Sequence, residues 1–276
     1  WHSYFRRSRR NLRAYAYAAF SEAYRVVFVA EATRRAWSVL ELRRNFQVIR
    51  YGVPDARLTA DLNRWRRGEA RERLGLSGRE VAILLVGSVC RRKGQKDILK
   101  AAREMSATSL AKLRFHVDGA FVEQRYEEEI RAEYAKMPAE VRDRIVFTGA
   151  VDDVSLYYRA SDIFVLCSRQ ESAPRVLVEA MSFELPIVTT AVDGIPELVR
   201  PRRDALFYNP GDAGELAALL SDLANSIETV TLGSEGRARV ADICDYGGMI
   251  DKFSELIAQA AAAGKNKLPM VLPAAH

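Results

Sequence analysis

Short apolar runs that alternate with helix-like segments are the feature that most constrains the fold of this chain. Between residues 81 and 208, each run is bounded by turn residues and followed by a segment whose apolar side chains have helical spacing. Continuous apolar strands separated by helices are typical of a parallel sheet covered on both faces. We therefore predict an α/β fold with a Rossmann-like parallel sheet. The predicted strands are VAILLVG, LRFHVDG, IVFTG, IFVLCS, PIVTT and ALFY.

The charge balance bounds the partners. The chain has 276 residues, of which 49% are hydrophobic, and Lys and Arg outnumber Asp and Glu by 42 to 36, a net charge of +6. Such an excess permits anionic lipid headgroups, phosphorylated substrates or nucleic acid as partners, and it also fits a solvated basic face. We expect no nucleic acid, because the arginine clusters are not interleaved with aromatic residues and no RNA or DNA motif is present.

The first residues carry an Arg-rich, aromatic stretch from Phe5 to Tyr24 that predicts a helix. Its aromatic side chains spread around the helix, whereas a membrane-surface helix usually separates its two faces more cleanly. No run of apolar residues is long enough to span a membrane. We expect a cytoplasmic protein, with peripheral contact at the inner face of the membrane as the alternative. The chain begins at Trp1 rather than Met, so we treat it as a fragment.

Metal and disulfide chemistry find little support in the sequence. His116 lies in LRFHV with no Cys or carboxylate at ligand spacing, so we interpret it as structural. The pair Asp152 and Asp153 is better interpreted as a helix N-cap than as a metal site. The three cysteines are widely spaced without a C-x-x-C motif, which fits a reducing compartment. They are Cys90, Cys167 and Cys244.

A candidate anion site follows the run IFVLCS. There the stretch ESAPRVLVEAM predicts a helix, with Pro174 suited to its first position. The free N–H groups of a helix start attract phosphate, and Glu171 and Glu179 can accept hydrogen bonds from nearby hydroxyls. Lys93 lies just before a second predicted helix, Gln95 to Met105, on a loop at the same edge of the sheet. Phosphate with hydroxyls close by is what a sugar nucleotide supplies.

These motifs, in this order, resemble a known family. The segments VGSVCRRKGQKDIL, RIVFTGAVDDVSLYYRASDIFVLCSRQESAPRVLVEAM, PIVTTAVDGIPELV and ALFYNPGD are similar to the donor-binding domain of family 4 retaining glycosyltransferases of the GT-B fold, the glycosyl transferases group 1. The resemblance covers residues 47–225. YRVVFVAEATRRAW resembles the closing strand and helix of the family's N-terminal domain, and the last predicted helix, Gly248 to Ala262, resembles the one that crosses back to it.

The resemblance implies a division of the chain and a set of site residues. Residues 1–46 would be a remnant of the N-terminal acceptor domain, and 47–262 the Rossmann-like donor domain, one half of a GT-B fold. Independently of the resemblance, we expect the tail, residues 263–276, to be disordered, as chain ends often are. Glu171 would lie near the transferred sugar, Glu179 would hold the ribose hydroxyls, and Lys93 would contact the diphosphate. Glu171 and Lys93 are thus the catalytic candidates. The donor-binding candidates are Glu179, Ser172, Ala173, Pro174, Arg175, Val176, Ser88, Arg92 and Gly149.

Two positions depart from the family pattern. Ser88 stands where the family usually has Arg, and Arg91 or Arg92 would have to replace that charge. Glu184 stands where the family prefers Gly, in the turn before Pro186, so we expect some backbone strain there.

The predicted function is transfer of a sugar, with retention, from a nucleoside-diphosphate sugar to a hydroxyl acceptor such as a glycan, a lipid-linked sugar or a small molecule, without metal or cofactor. We expect the chain alone, without the N-terminal domain, to bind a sugar nucleotide only weakly and to be inactive. There are two alternatives. One is a non-catalytic sugar-nucleotide-binding or regulatory module, which would be consistent with Ser88 in place of the usual Arg. The other is a sugar-nucleotide 2-epimerase.

Overall fold

The computed structural model describes residues 9–41, 43–225 and 228–263. The described chain divides into two compact units. The smaller unit holds the described residues up to Gly52 and those from Asp245 onward, and the larger unit runs from Val53 to Cys244.

A six-stranded parallel sheet forms the centre of the larger unit. Its strands are β3 Val81–Val86, β4 Leu113–Asp118, β5 Ile145–Gly149, β6 Ile163–Leu166, β7 Ile187–Thr190 and β8 Ala205–Tyr208. Their order in the sheet is β5-β4-β3-β6-β7-β8, and every neighbouring pair is parallel. Each predicted apolar run became a strand, so the α/β fold with a parallel sheet is confirmed.

Helices cover both faces of this sheet. Alternate residues of β3 enter different hydrophobic clusters: Ile83 and Leu85 pack on one side, and Leu84 packs on the other. Because successive strand residues point to opposite faces, a strand buried on both sides must be continuously apolar. The helices of this unit are α3 Asp55–Asn63, α4 Arg67–Arg73, α5 Lys96–Glu104, α6 Ala107–Leu110, α7 Gln124–Ala135, α8 Ala139–Arg142, α9 Val154–Ala160, α10 Arg175–Ser182, α11 Ile195–Leu198, α12 Ala213–Leu223 and α13 Glu228–Ile243.

Helix α13, which spans 16 residues, was not predicted from the sequence. Gly233 and Gly236 lie inside it, and glycine lowers helix propensity by about 1 kcal/mol per residue relative to alanine. A Cβ atom on Gly233 would lie 2.1 Å from the carbonyl oxygen of Glu184, so this glycine allows the helix to pack against the turn that follows α10. Glu184 itself has φ 59°, which confirms the strain expected at that turn.

The smaller unit contains a two-stranded parallel sheet, β1 Val26–Phe28 with β2 Phe46–Val48. Phe20 packs edge-on against Trp37 and Phe46, with 5.4 Å between the ring centroids in each pair. The side-chain amide of Asn45 donates to the carbonyl oxygens of Phe20 and Ala23, at 2.8 and 3.0 Å. The helices of this unit are α1 Arg9–Glu22, α2 Glu31–Trp37, the 3₁₀ turn Ser38–Leu40 and α14 Tyr246–Ala262.

The division differs from the predicted domain ranges. Strand β2 pairs with β1, and Leu256 of α14 packs with Val27 and Ile49. Residues 47–52 and 245–262 therefore belong to the smaller unit, although the sequence analysis placed them in the donor domain. The predicted helix 5–24 is observed as Arg9–Glu22, and residues 5–8 and 264–276 lie outside the described residues. Every helix in the part of the chain that the structure describes is either too short or too polar to span a membrane.

Candidate active site

A buried charged cluster joins the loops after β3 and β6 at the carboxyl edge of the sheet. The Lys93 ammonium forms an ion pair with Oε1 of Glu171. Arg92 Nη1 donates to the same oxygen at 3.1 Å, and Ser168 Oγ donates to it at 3.0 Å. Lys93 and Glu171 are each only 9% exposed. The structure therefore brings the two catalytic candidates into direct contact, together with Arg92.

Backbone hydrogen bonds hold the Glu171 loop in place. The N–H of Glu171 donates to Asp193 Oδ2 at 3.0 Å, and the N–H of Gly194 donates to the Glu171 carbonyl at 3.1 Å. On its other side, Arg92 Nη1 donates to the Gln170 carbonyl at 3.0 Å. The loops after β3, β6 and β7 are thus fastened to one another around the Glu171 carboxylate. Asp193 was not among the predicted site residues.

Glycines on the loop after β3 make room for the cluster. A Cβ atom on Gly87 would lie 3.4 Å from Cε of Lys93, so the lysine side chain passes close over this glycine. Gly94 has φ 68°, and a Cβ atom there would lie 2.2 Å from the Cys167 carbonyl oxygen. The Lys-Gly pair therefore combines a site cation with a close approach between two loops that only glycine permits. Helix α5 starts at Lys96, one residue later than predicted. Lys93, whose ammonium contacts Glu171, lies in the turn before this helix.

Glu179 lies on α10, the helix that directly follows the Glu171 loop, and is half-buried. The hydroxyl of Tyr158, on α9, donates to Glu179 Oε2 at 3.0 Å. Burial, followed by the charge of Glu179, raises the pKa of Tyr158 well above its usual value, so this phenol remains a proton donor. Its ring stacks on Phe183, with centroids 5.3 Å apart. Glu179 is consequently a fixed carboxylate rather than a mobile surface residue, and Tyr158 is a second residue that the sequence analysis missed.

The remaining candidates at the start of α10 lie next to Glu171 in the chain. Pro174 is the N-cap residue, with φ −69° and ψ 111°, so the helix begins at Arg175 and not at Pro174 as predicted. Arg175 is exposed, while Ser172, Ala173 and Val176 are half-buried. The carbonyl of Val176 accepts a long hydrogen bond, 3.4 Å, from the Tyr158 hydroxyl.

Two donor-binding candidates lie on other loops at this edge of the sheet. Ser88 follows β3, and its carbonyl accepts from the side chain of Gln95 at 2.9 Å. Gly149 ends the edge strand β5 with φ 74°, and its carbonyl accepts from the N–H of Gly119 at 2.8 Å. Among residues 9–41, 43–225 and 228–263, no hydrogen bond joins either residue to the Lys93 and Glu171 pair.

The side chains interpreted as structural have structural contacts. Asp153 Oδ1 accepts from the N–H of Ser155 at 3.1 Å, which confirms the predicted N-cap of α9. His116 is buried and packs edge-on against Tyr157, with centroids 5.8 Å apart. Within the described ranges, no group of three or more His, Cys, Asp or Glu is arranged to hold a metal ion.

A parallel α/β sheet with charged side chains at the carboxyl ends of its strands is the architecture of proteins that bind a ligand at that edge. Residues 80–226, more than half of the chain, match the family Glycosyl transferases group 1. The chain therefore belongs to this family.

Curated relatives match over part of their length. The sulfoquinovosyl transferase SQD2 of Arabidopsis thaliana is 31% identical over 162 residues, which are 57% of this chain and 30% of the relative. The D-inositol 3-phosphate glycosyltransferase of Geodermatophilus obscurus is 29% identical over 223 residues, which are 76% of this chain and 49% of the relative. The chain thus spans half or less of the length of these relatives.

Solved structures agree in fold. The crystal structure of Anabaena HepE in complex with UDP and glucose superposes with a TM-score of 0.74 at 22% identity, and the match covers 85% of this chain and 63% of HepE. At this identity the likeness shows the fold alone, and it confirms the predicted GT-B type of α/β sheet.

Proposed function

We propose that this chain is the donor-binding part of a family 4 retaining glycosyltransferase, which transfers a sugar from a nucleoside-diphosphate sugar to a hydroxyl acceptor. The observation that carries the proposal is the buried Lys93 and Glu171 pair, one turn before a helix that presents the fixed carboxylate of Glu179. Family membership supports it, as do the two relatives, a sulfoquinovosyl transferase and a D-inositol 3-phosphate glycosyltransferase.

Each charged group has a role that suits its surroundings. A carboxylate that accepts two hydroxyl protons can orient a ribose, since each charge-assisted hydrogen bond contributes about 1.5 to 3 kcal/mol. We assign that role to Glu179. Glu171 would orient the sugar, while the N–H groups of Ala173, Arg175 and Val176, with Ser172, would face the diphosphate.

Breaking the bond between the anomeric carbon and the diphosphate leaves negative charge on the leaving group. Lys93 and Arg92 are the cations of the cluster, and both now face Glu171. We propose that Lys93 bridges Glu171 and the diphosphate once the donor is bound, so that its charge stabilises the leaving group in a site shielded from water. In this proposal no metal takes part, because the lysine and the start of α10 provide the positive charge.

The test is calorimetric titration of the chain with UDP, GDP and ADP at millimolar concentration. We expect one nucleotide to bind, and Glu179→Ala to weaken its binding by roughly tenfold or more, the equivalent of at least one charge-assisted hydrogen bond. Lys93→Ala should weaken nucleoside diphosphate but leave the nucleoside unchanged, because the lysine is assigned to the phosphates.

Two exposed residues provide matched controls. Glu140→Ala and Lys100→Ala remove the same charges from α8 and α5, away from the cluster, and should bind like the unchanged chain. If neither Glu179→Ala nor Lys93→Ala differs from these controls, the site assignment is wrong.

Ser88 in place of the usual Arg favours one alternative, a nucleotide-binding module without transferase activity. Supplying the chain as part of a longer protein that contains the N-terminal domain, and assaying sugar transfer, separates the two functions. Nucleotide binding without transfer in that protein would support the module. A changed sugar in the absence of acceptor would instead support an epimerase.

A further inference from the structure

A second buried carboxylate, Asp97, lies in the first turn of α5 and is only 1% exposed. It accepts hydrogen bonds from the guanidinium of Arg169 on both oxygens, with Nη1 at 2.7 Å and Nη2 at 2.6 Å. The Tyr208 hydroxyl donates to it at 3.1 Å, and the N–H of Gly211 donates at 3.2 Å. Both oxygens are therefore occupied by donors from other parts of the chain.

These contacts connect three segments at the carboxyl edge of the sheet. Asp97 belongs to the helix after β3, Arg169 to the loop after β6, and Tyr208 and Gly211 to the end of β8 and the turn beyond it. Arg169 Nη1 also donates to the Cys167 carbonyl at 3.0 Å, next to the close approach at Gly94. The carboxylate is thus a junction beneath the loop that carries Glu171.

Arg169 is two residues before Glu171, and its own N–H donates to the Arg92 carbonyl at 2.7 Å. Its hydrogen bonds to Asp97 raise the pKa of Arg169, so the guanidinium stays charged. Removing one partner of a buried ion pair leaves the other charge uncompensated, and the surrounding loop must move to satisfy it. The position of Glu171 therefore depends on a carboxylate that cannot itself be reached from solvent.

We propose that Asp97 and Arg169 are a positioning pair, which holds the Glu171 loop where it can orient the sugar of the donor. This inference rests on the proposed function. It assigns the two residues no contact with substrate. The ribose of the donor is assigned to Glu179, which Tyr158 fixes from a different helix, and the diphosphate is assigned mainly to Lys93 and the start of α10. Loss of the pair should consequently disturb binding of the sugar more than binding of the nucleotide.

The test compares two ligands, a nucleoside diphosphate and the corresponding nucleoside-diphosphate glucose. In Asp97→Asn we expect the dissociation constant of the nucleoside diphosphate to stay within about twofold of that of the unchanged chain. The constant for the sugar nucleotide should rise by roughly tenfold, which corresponds to about 1.4 kcal/mol. Arg169→Gln, which removes the other partner, should shift the ratio of the two constants in the same direction. Hydrogen exchange of residues 168–173 should become faster in both variants.

Asp204→Asn is the matched control. Asp204 is also fully buried and also accepts from both sides of a guanidinium, that of Arg200, at 2.7 and 2.6 Å, but it lies just before β8, at the opposite edge of the sheet. The Asp204→Asn substitution should lower the free energy of unfolding without changing the ratio of the two dissociation constants.

The outcomes separate the inference from the proposed function. If the unchanged chain binds no nucleotide, both are wrong. If it binds nucleotide and the ratio is unaltered in Asp97→Asn and Arg169→Gln, or altered equally in Asp204→Asn, the positioning pair is wrong while the proposed function stands. Should Asp97→Asn fail to fold, Arg169→Gln decides alone, since it leaves Asp97 with the Tyr208 and Gly211 donors.

Discussion

Two titratable side chains point to the same face of β4 and have opposite effects on stability. Burial raises the pKa of Asp118 to about 7, although the Thr148 hydroxyl, which donates at 2.7 Å, acts against the shift. Burial, with a smaller contribution from the charge of Arg114, lowers the pKa of His116 to about 4. Asp118 Oδ2 and His116 Nδ1 are buried and lack hydrogen-bond partners among the described residues. Folding therefore favours the neutral form of each group.

The sign of each contribution follows from proton counts. Between pH of about 4 and 7 the unfolded Asp118 has lost its proton and the folded one has not, so this residue lowers stability as pH rises and has no effect below its unfolded pKa of 3.8. Between pH of about 4 and 6.5 only the unfolded His116 is protonated, so this residue raises stability as pH rises. The two slopes oppose one another in the unchanged chain.

Asp118→Asn should remove one of these two opposing contributions to the pH dependence of stability. The free energy of unfolding of the variant, relative to the unchanged chain, should increase from pH 4.5 to pH 7.5, by at most about 4 kcal/mol for a shift of roughly three pKa units. His116→Leu should show the reverse trend. Urea unfolding at several pH values measures both. A difference for Asp118→Asn that stays constant with pH would contradict the raised pKa.

At the scale of elements, α13 shows why a helix can be hidden in a sequence. Gly233 weakens the helical pattern, yet the structure requires glycine there because the Glu184 carbonyl occupies the space of a Cβ atom. Helix propensity is a property of the local sequence. The close approach instead depends on Glu184, which lies 49 residues before Gly233 in the chain. The strands were easier to predict, because burial on both faces makes each of them a continuous apolar run.

The two glycines of α13 allow a direct comparison. Gly233→Ala must move backbone, because the nearest atom is the Glu184 oxygen at 2.1 Å, and overpacking of this kind costs about 1 to 3 kcal/mol. Gly236→Ala meets only the flexible side chain of Met181, whose Cγ is nearest at 3.2 Å, and adds about 1 kcal/mol of helix propensity. We expect the first variant to lower the melting temperature and the second to keep or raise it. Equal melting temperatures would show that α13 does not pack closely on this turn.

Across the molecule, the motifs point to the charged residues of the candidate site but not to the groups that hold them. Lys93, Glu171 and Glu179 lie in recognisable segments, so the sequence alone was enough to propose them. Tyr158 is 21 residues from Glu179, and Asp97 is 72 residues from Arg169. Such partners are determined by the order of strands in the sheet, which no local pattern specifies.

The larger unit contains every predicted site residue, from Ser88 to Glu179, as well as Asp193 and Asp97. Its two ends meet, since the N–H of Val53 donates to Sγ of Cys244 at 3.0 Å. Residues 53–244 produced alone should therefore unfold cooperatively and bind nucleoside diphosphate within about threefold of the affinity of the whole chain, a difference below about 0.7 kcal/mol. Calorimetry on both proteins, with Glu179→Ala in the shorter one as a control, measures this. Lost binding in a shortened chain that still unfolds cooperatively would mean that the smaller unit contributes to the nucleotide site.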